Sequence, residues 1–92
     1  MNKPIEVAVV RAGYYDAPEK HSLDPDQPIL PQVYKLIGCE LVEVVRLPGD
    51  ALLMLVDEEG LLHNKPLNSL ASIVSGVDVV GDVAVLAEKD FQ

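Results

Sequence analysis

Residues 51–76, ALLMLVDEEGLLHNKPLNSLASIVSG, hold the pattern that decides the fold of this chain. The run 51–56 is apolar at all six positions, which is typical of a central strand covered on both faces. Three acidic residues and a glycine follow at 57–60 and indicate a tight turn. A polar loop then leads into a short apolar segment, so the stretch predicts a strand, a turn and a helix in succession.

The polar loop supplies the start signal of that helix. Asn68 or Ser69 can cap its first turn through a side-chain oxygen, and Gly76 can end it just after Ser75. Helical spacing predicts that three apolar side chains form the stripe that packs on the core. That stripe consists of Leu70, Ile73 and Val74.

Further elements follow from apolar periodicity and from the positions of proline and glycine. Strands at 40–47 and 51–56 flank Pro48-Gly49-Asp50, which predicts a hairpin. The stretch 13–27 is polar and contains two prolines, so it is predicted to be a long irregular loop. The remaining predictions are a strand at 5–12, a helix that begins at Pro28 or Pro31 and ends at Ile37 before a left-handed Gly38, and a strand at 77–87 with a break or bulge at Gly81-Asp82.

These elements define a single α+β domain over residues 1–92, in the order β-α-β-β-α-β. We expect a small, mainly antiparallel sheet with two short helices, similar to a ferredoxin-like layout. The irregular loop lengths leave a partly closed small barrel as the alternative.

The composition limits the kinds of partner that the chain is expected to bind. Fifteen acidic residues against seven basic ones give a net charge of −8, which argues against direct binding to nucleic acid because such binding depends on Lys and Arg. The hydrophobic content of 49% is more than a small interior can bury, so we expect a homo-oligomer. No apolar run is long enough for a membrane span and the N-terminus resembles no signal peptide, so we expect a cytosolic protein without membrane contact.

No pattern in the sequence is typical of catalysis. The single cysteine, Cys39, forms no intrachain disulfide and is expected to be a small buried residue. His21 and His63 lack the spacing of metal ligands, and no glycine-rich phosphate loop or nucleophile elbow occurs. The acids at 57–59 are expected to lie in an exposed turn rather than to act as paired acid and base. We therefore predict no enzyme activity, no metal and no cofactor.

The loop at 63–69 is the candidate ligand site. It places an imidazole, a cation and two amides directly before a helix start, where unpaired N–H groups favour an anion. Two tyrosines of the long loop could stack on such a ligand. The alternative is that Asn68 or Ser69 only caps the helix while Lys65 is solvated. The predicted ligand-binding residues are Tyr14, Tyr15, His63, Asn64, Lys65, Asn68 and Ser69.

The stretches VDEEGLLHNKPLNSLAS at 56–72 and GDVAVLA at 81–87 resemble the C-terminal pattern of a small uncharacterised domain family common in bacteriophage and mobile-element genomes. The resemblance extends more loosely to QVYKLIGCELVEVV at 32–45, and it leaves out the stretch 13–27. The matching positions are Glu59-Gly60, Asn64, Pro66, Asn68, Ala71, Gly81-Asp82 and the strand that begins at Val83.

The resemblance implies a setting, the cytosol of a bacterial host, rather than a reaction. We expect a non-enzymatic phage-type accessory protein that counters host defence by binding. It would either sequester a small anionic, nucleotide-like signal at the 63–69 loop or block a basic host defence protein with its acidic surface. The alternative is a structural or regulatory oligomeric module of a phage or mobile element that has no ligand. The acids predicted to contact a host protein are Asp24, Asp26, Asp57, Glu58 and Glu59.

Overall fold

The computed structural model describes residues 3–13, 17–49 and 51–91. Within these ranges the chain forms five β-strands, two α-helices and one short 3-10 helix. In chain order the elements are β1 Ile5–Val10, β2 Glu19–Leu23, α1 Ile29–Ile37, β3 Val42–Arg46, β4 Leu52–Asp57, α2 Ser69–Ser75 and β5 Val83–Ala87, with the 3-10 helix at Glu88–Asp90.

The strands form one antiparallel sheet in the order β2-β1-β5-β4-β3, which confirms the predicted α+β class. In the described part of the chain β2 and β3 are open edges, so the sheet is not closed and the barrel alternative is wrong. The ferredoxin-like layout is also wrong. The strands on either side of α2, β4 and β5, are antiparallel neighbours, whereas the strands of a β-α-β unit run parallel.

The predicted long loop at 13–27 is wrong in its centre, where Glu19–Leu23 forms β2. This strand pairs with five residues of β1. Its sequence, EKHSL, lacks the apolar alternation from which a strand is predicted. An edge strand is solvated along one side and does not need that alternation. The stabilising partner is β1, which lies earlier in the chain, so local composition carries little of the signal.

The hairpin of β3 and β4 is confirmed, with Met54 of β4 opposite Val45 of β3. The last strand is shorter than predicted, because β5 begins only at Val83. Upstream of it, Val80 forms an isolated bridge with Leu67, and the chain bends at Gly81-Asp82, where Gly81 has a φ of 80°. The predicted break at this dipeptide is therefore confirmed.

One face of the sheet is covered by α1. Strand residues that point to this face alternate with a period of two, and they pack against Val33 and Ile37 of the helix. Gly38 ends the helix in the left-handed conformation, with a φ of 67°, as the sequence predicts. The buried strand residues of this core are Val7, Val9, Leu23, Leu53, Leu55, Ala84 and Leu86.

The other face is partly covered by α2 and the segment 77–80, and Ala71 is the buried residue of the helix. The stripe predicted from helical spacing is wrong, since its three members are exposed, Ile73 by 78%. The helix has only seven residues and Asn68 fixes its start, so the small Ala71 meets the sheet instead of the larger side chains. Three apolar side chains of α2 therefore face outward.

The central position of β4 gives a test of this core. Leu55 is fully buried, whereas Val44, its cross-strand partner in β3, is 45% exposed. We expect Leu55→Ala to lower the free energy of unfolding by roughly 2–5 kcal/mol, because it leaves a cavity. Val44→Ala is the matched control and should cost less than about 1 kcal/mol. Urea unfolding followed by circular dichroism measures both, and equal losses would contradict the difference in burial.

Candidate functional site

Asn68 lies within the loop that the sequence marks as a ligand site, and it is almost fully buried. Its Oδ1 accepts a hydrogen bond from the backbone N–H of Ala71 at 3.1 Å, which confirms the predicted helix cap. Its Nδ2 donates to the carbonyl oxygens of Val10 and Gly81, both at 2.9 Å. The amide therefore joins β1, α2 and the approach to β5, and both of its donor hydrogens are used inside the fold.

Lys65 crosses from the same loop to the end of α1. Its Nζ lies 2.5 Å from Asp57 Oδ2 and donates to the carbonyl oxygen of Gly38 at 2.7 Å. The side chain passes over Gly81, where a Cβ atom would lie 2.9 Å from Lys65 Cδ, so the absence of a side chain makes room for it. Lys65 is thus an internal cation with 20% of its side chain exposed, and the solvated alternative is wrong.

Asp57 is the buried partner of this cation, contrary to the exposed turn expected for the acids at 57–59. Its Oδ1 accepts a hydrogen bond from the backbone N–H of Glu59 at 2.8 Å, and its Oδ2 lies 3.8 Å from His63 Nδ1. Burial by itself would raise the pKa of the carboxyl, but Lys65, the Glu59 N–H and His63 together hold this pKa below its ordinary value. The carboxylate stays charged because these partners replace the water that burial removes.

A second cation, Arg11, reaches the same end of α1 from the end of β1. Its Nη1 donates to the carbonyl oxygen of Leu36 at 2.7 Å and to Asp82 Oδ2 at 2.9 Å. Its Nε and Nη2 donate to Glu19 of β2, and these hydrogen bonds are the main reason that the pKa of Glu19 falls to about 2. Because the carbonyl end of a helix attracts cations, Arg11 and Lys65 together hold α1 on the sheet.

The other predicted ligand residues are less enclosed. His63 is exposed, and Asn64 is exposed with a φ of 54°, a left-handed conformation that Asn tolerates. Ser69 is the half-buried first residue of α2. Tyr14 and Tyr15 lie outside the described residues. The loop therefore exposes an imidazole and one amide, and it keeps its cation and its second amide in internal bonds.

The five acids predicted to contact a protein do not form one face. Asp57 is buried, whereas Glu58 is exposed and Glu59 is half-buried beside it. Asp24 and Asp26 follow β2, which is at the opposite edge from β3, and they lie at the other end of the strands. The predicted acidic surface is thus divided between two corners of the sheet.

An open groove lies beside the corner that holds Glu58. We call it the β3 groove; its volume is about 420 Å³, and it runs between residues 43–45 of β3, the end of β4 and the segment 77–80. Glu43, Glu58 and Asp78 are exposed carboxylates on its lining, and no basic side chain lines it among the described residues. The remaining lining is mainly apolar and includes Val45, Val56, Leu61, Val77 and Val79.

The described residues hold no cluster of three or more His, Cys, Asp or Glu side chains placed to ligate a metal ion. Across the same ranges, no helix is both long enough and apolar enough to cross a membrane. Cys39 is half-buried, and burial is the main cause that raises the pKa of its thiol. This thiol is therefore protonated at neutral pH, as expected of a residue used for packing.

The chain belongs to a family of domains of unknown function, DUF3846, whose model matches residues 5–91. The predicted membership of an uncharacterised domain family is confirmed by this match. No curated protein and no solved structure matches the chain.

Several motif residues that carry the family resemblance have packing roles in this fold, whereas Asn64 is exposed. A Cβ atom on Gly60 would lie 2.7 Å from Val80 Cγ2, so the turn after β4 needs a glycine to approach the segment 77–80. Asn68 and Ala71 anchor α2, and Gly81 makes room for the Lys65 side chain. The motif therefore specifies how the second half of the chain packs.

Sequence reasoning missed Arg11 and Asp82 as a structural pair. Asp82 Oδ1 accepts a hydrogen bond from the backbone N–H of Ala12 at 2.8 Å, while its Oδ2 accepts from Arg11. The one available signal is a charged residue next to each apolar strand: Arg11 directly follows β1, and Asp82 directly precedes β5 and follows a glycine. Only the antiparallel pairing of β1 with β5 brings the two positions together.

Asn68 gives the sharpest test of this buried network. We expect Asn68→Ala to lower the free energy of unfolding by roughly 2–5 kcal/mol, since it removes the cap and leaves buried polar groups unpaired. Asn68→Asp keeps the cap acceptor but points an oxygen at two carbonyls, so its loss should be larger at pH 7 than at pH 4. Asn64→Asp is the exposed control and should change stability by less than about 0.5 kcal/mol. Similar effects of the two Asn→Asp changes would contradict the network.

The Asp57–Lys65 pair predicts a specific pH dependence of stability. Because the folded pKa of Asp57 is depressed, its contribution is present above the ordinary pKa of about 4 and is lost as pH falls through the folded pKa. We expect Asp57→Asn to cost roughly 3–5 kcal/mol at pH 7, since it leaves a buried cation unpaired. The difference from wild type should shrink below about pH 4.

Denaturant unfolding between pH 7 and pH 2.5 measures this dependence, with Glu58→Gln as the exposed neighbouring control. The pH profile of Glu58→Gln should follow that of wild type. A constant difference between Asp57→Asn and wild type over the whole range would contradict a charged Asp57 in the folded state.

Proposed function

We propose that this chain is a non-enzymatic accessory protein of phage or mobile-element type. It acts in the cytosol of a bacterial host and counters host defence by binding and blocking a basic host protein. The observation that carries the proposal is the β3 groove, an apolar channel with exposed carboxylates at Glu43, Glu58 and Asp78. A surface that combines apolar area with charge of one sign favours a protein partner of the opposite sign. Blocking such a partner requires no catalytic group.

The net charge of −8 supports this choice of partner. A strongly acidic protein attracts a basic surface over several ångströms and accelerates the encounter, and salt weakens the attraction. Of the three exposed acids on the groove, Glu58 is one of the contact residues predicted from the sequence, whereas Glu43 and Asp78 come from other parts of the chain. Their convergence concentrates the negative charge beside exposed apolar groups, of which Leu61 is 80% exposed.

Sequestration of a small nucleotide-like anion is the weaker mechanism. The cation and the amide that would recognise the anion, Lys65 and Asn68, already have internal partners. A ligand would have to replace those bonds, and breaking a buried charge pair costs roughly 3–5 kcal/mol. The geometry therefore favours a protein partner.

The setting rests on the family resemblance. The motifs at 56–72 and 81–87 resemble those of a domain common in bacteriophage and mobile-element genomes, and the whole described chain from residue 5 onward falls within one family. Short acidic proteins in such genomes commonly act by occupying a host target. This support is an analogy with the genomic setting of similar domains, and it adds to the evidence from the charge and apolar area of the β3 groove.

A second candidate is a structural or regulatory oligomeric module of a phage or mobile element. The specific observation that favours it is the outward-facing apolar side chains of Leu62 and Ile73, each 78% exposed. Exposed apolar area of this kind is typical of contacts between subunits. This candidate predicts a stable homo-oligomer and no host partner.

Capture of host proteins at two salt concentrations tests the proposal. We expect the immobilised chain to retain a basic host protein at about 0.05 M salt and to release it at about 1 M, because salt screens exposed charges. Glu58→Lys should weaken capture at least about tenfold, whereas Glu6→Lys, the same charge change on β1, should not. Expression of the wild-type chain, but not of Glu58→Lys, should also relieve the host defence against phage infection.

Two outcomes would contradict the proposal. One is capture of no basic protein at low salt. The other is equal behaviour of Glu58→Lys and Glu6→Lys. A homo-oligomer in sedimentation experiments together with either outcome would favour the oligomeric module instead.

A further inference from the structure

We propose that the open edge of β3 and the adjoining β3 groove bind an extended segment of the partner protein as an additional strand, in which basic residues alternate with apolar ones. The inference rests on the proposed function, since it names the form and chemistry of the bound partner. Strand addition to a sheet edge takes affinity from backbone hydrogen bonds and specificity from alternate side chains.

The backbone of β3 offers free hydrogen-bonding groups in a regular row. The N–H of Leu47 donates to the carbonyl of Leu52, and the carbonyl of Leu41 accepts from the N–H of Glu58. The backbone N–H and C=O groups of the odd-numbered residues of β3 therefore point towards β4. In an antiparallel ladder the intervening residues turn their N–H and C=O groups to the opposite side. No described strand pairs with that side of β3. The outward groups belong to Val42, Val44 and Arg46.

The two edges of the sheet differ in how they are protected. The edge at β2 carries Glu19, Lys20 and His21, and Pro18 and Pro25 lie close to its two ends. Charged residues and prolines are common devices that prevent pairing at a sheet edge. The edge at β3 has the sequence VEVVR, with three β-branched apolar residues, and a proline lies close to one of its ends only, at Pro48. Of the two edges, β3 is therefore the one suited to accept a strand.

The side chains beside the open edge set the chemistry of the added segment. On the face with the β3 groove, Glu43 would lie beside a residue of the new strand, with Glu58 and Asp78 further along the lining. A Lys or Arg there can lay its apolar stem on the groove and place its charge among the carboxylates. On the other face, Val42 and Val44 would meet the alternate residues, which are therefore apolar.

A second copy of this chain fits the same edge less well. Pairing of β3 with itself around a two-fold axis keeps both grooves on one face of the joined sheet. The carboxylates of the two grooves would then lie near each other, and each chain carries a net charge of −8. Like charges in such an arrangement oppose association. Charge complementarity thus favours a basic segment over self-pairing.

The test uses the full chain and synthetic peptides of about seven residues, the length of a short strand. The probe set alternates Lys or Arg with Val, Ile or Leu, and the matched peptides replace each basic residue by Glu. We expect at least one alternating basic peptide to bind at least about tenfold more tightly than its acidic match. Its binding should slow amide hydrogen exchange at Val42, Val44 and Arg46 at least about tenfold.

Two substitutions separate strand addition from a general attraction of charges. Val44→Pro removes one outward N–H without removing a bond to β4, and edge strands tolerate proline at such positions. It should weaken peptide binding at least about tenfold, whereas Val44→Thr, which keeps the N–H, should not. If Val44→Pro does not fold, hydrogen exchange of the wild-type chain makes the separation: strand addition protects the N–H groups of Val42, Val44 and Arg46, whereas attraction of charges alone does not.

Three results would overturn the inference: no preference for basic peptides, no added protection of the β3 edge, or protection that appears without peptide and rises with protein concentration. The last result would identify a second copy as the occupant. Loss of host-protein capture in Glu58→Lys with full capture in Val44→Pro would leave the proposed function standing and reject strand addition alone.

Discussion

The structure depends on how the C-terminal end of α1 is held against the sheet. Two cations, Arg11 and Lys65, each donate to a carbonyl oxygen at that end, and each also pairs with a carboxylate. The pairing of Lys65 with the buried Asp57 contributes little net energy, because removing both charges from water is costly, but loss of one partner is severely destabilising. The arrangement therefore specifies where α1 and the turn after β4 must lie more than it adds to stability.

This internal polar network also fixes both sides of the β3 groove. Lys65 fixes the turn after β4, which forms one side of the groove. The Asn68 side chain accepts a hydrogen bond from the first turn of α2. The backbone N–H of Asn68 donates to the carbonyl of Val79 at 2.8 Å, which fixes the segment 77–80 on the other side of the groove. Lys65 and Asn68, which the sequence predicts as ligand contacts, therefore lie beneath the surface and support it through internal bonds. They determine the shape of the groove, and exposed residues elsewhere in the chain supply its charge.

Local sequence patterns were sufficient for the elements whose stabilising contacts lie nearby. The hairpin of β3 and β4, the Gly38 end of α1 and the Asn68 cap of α2 follow from turn residues, capping residues and apolar runs. Two predictions failed for a common reason. β2 is polar because it is an edge strand, and the outward stripe of α2 is apolar although it is exposed. In both cases the polarity of the residues does not indicate whether they are buried.

The sequence by itself determined the α+β class, most of the element order, the acidic character and the motifs that mark the family. Each of these depends on residues within about one turn or one strand of each other. Only the tertiary structure decided which charges are internal. Lys65 meets Asp57 and Arg11 meets Asp82 because strand pairing and the turn after β4 bring distant positions together. The same contacts decide that Asn68 is a packing residue and that the open surface lies at β3, since burial and edge position are properties of the whole sheet.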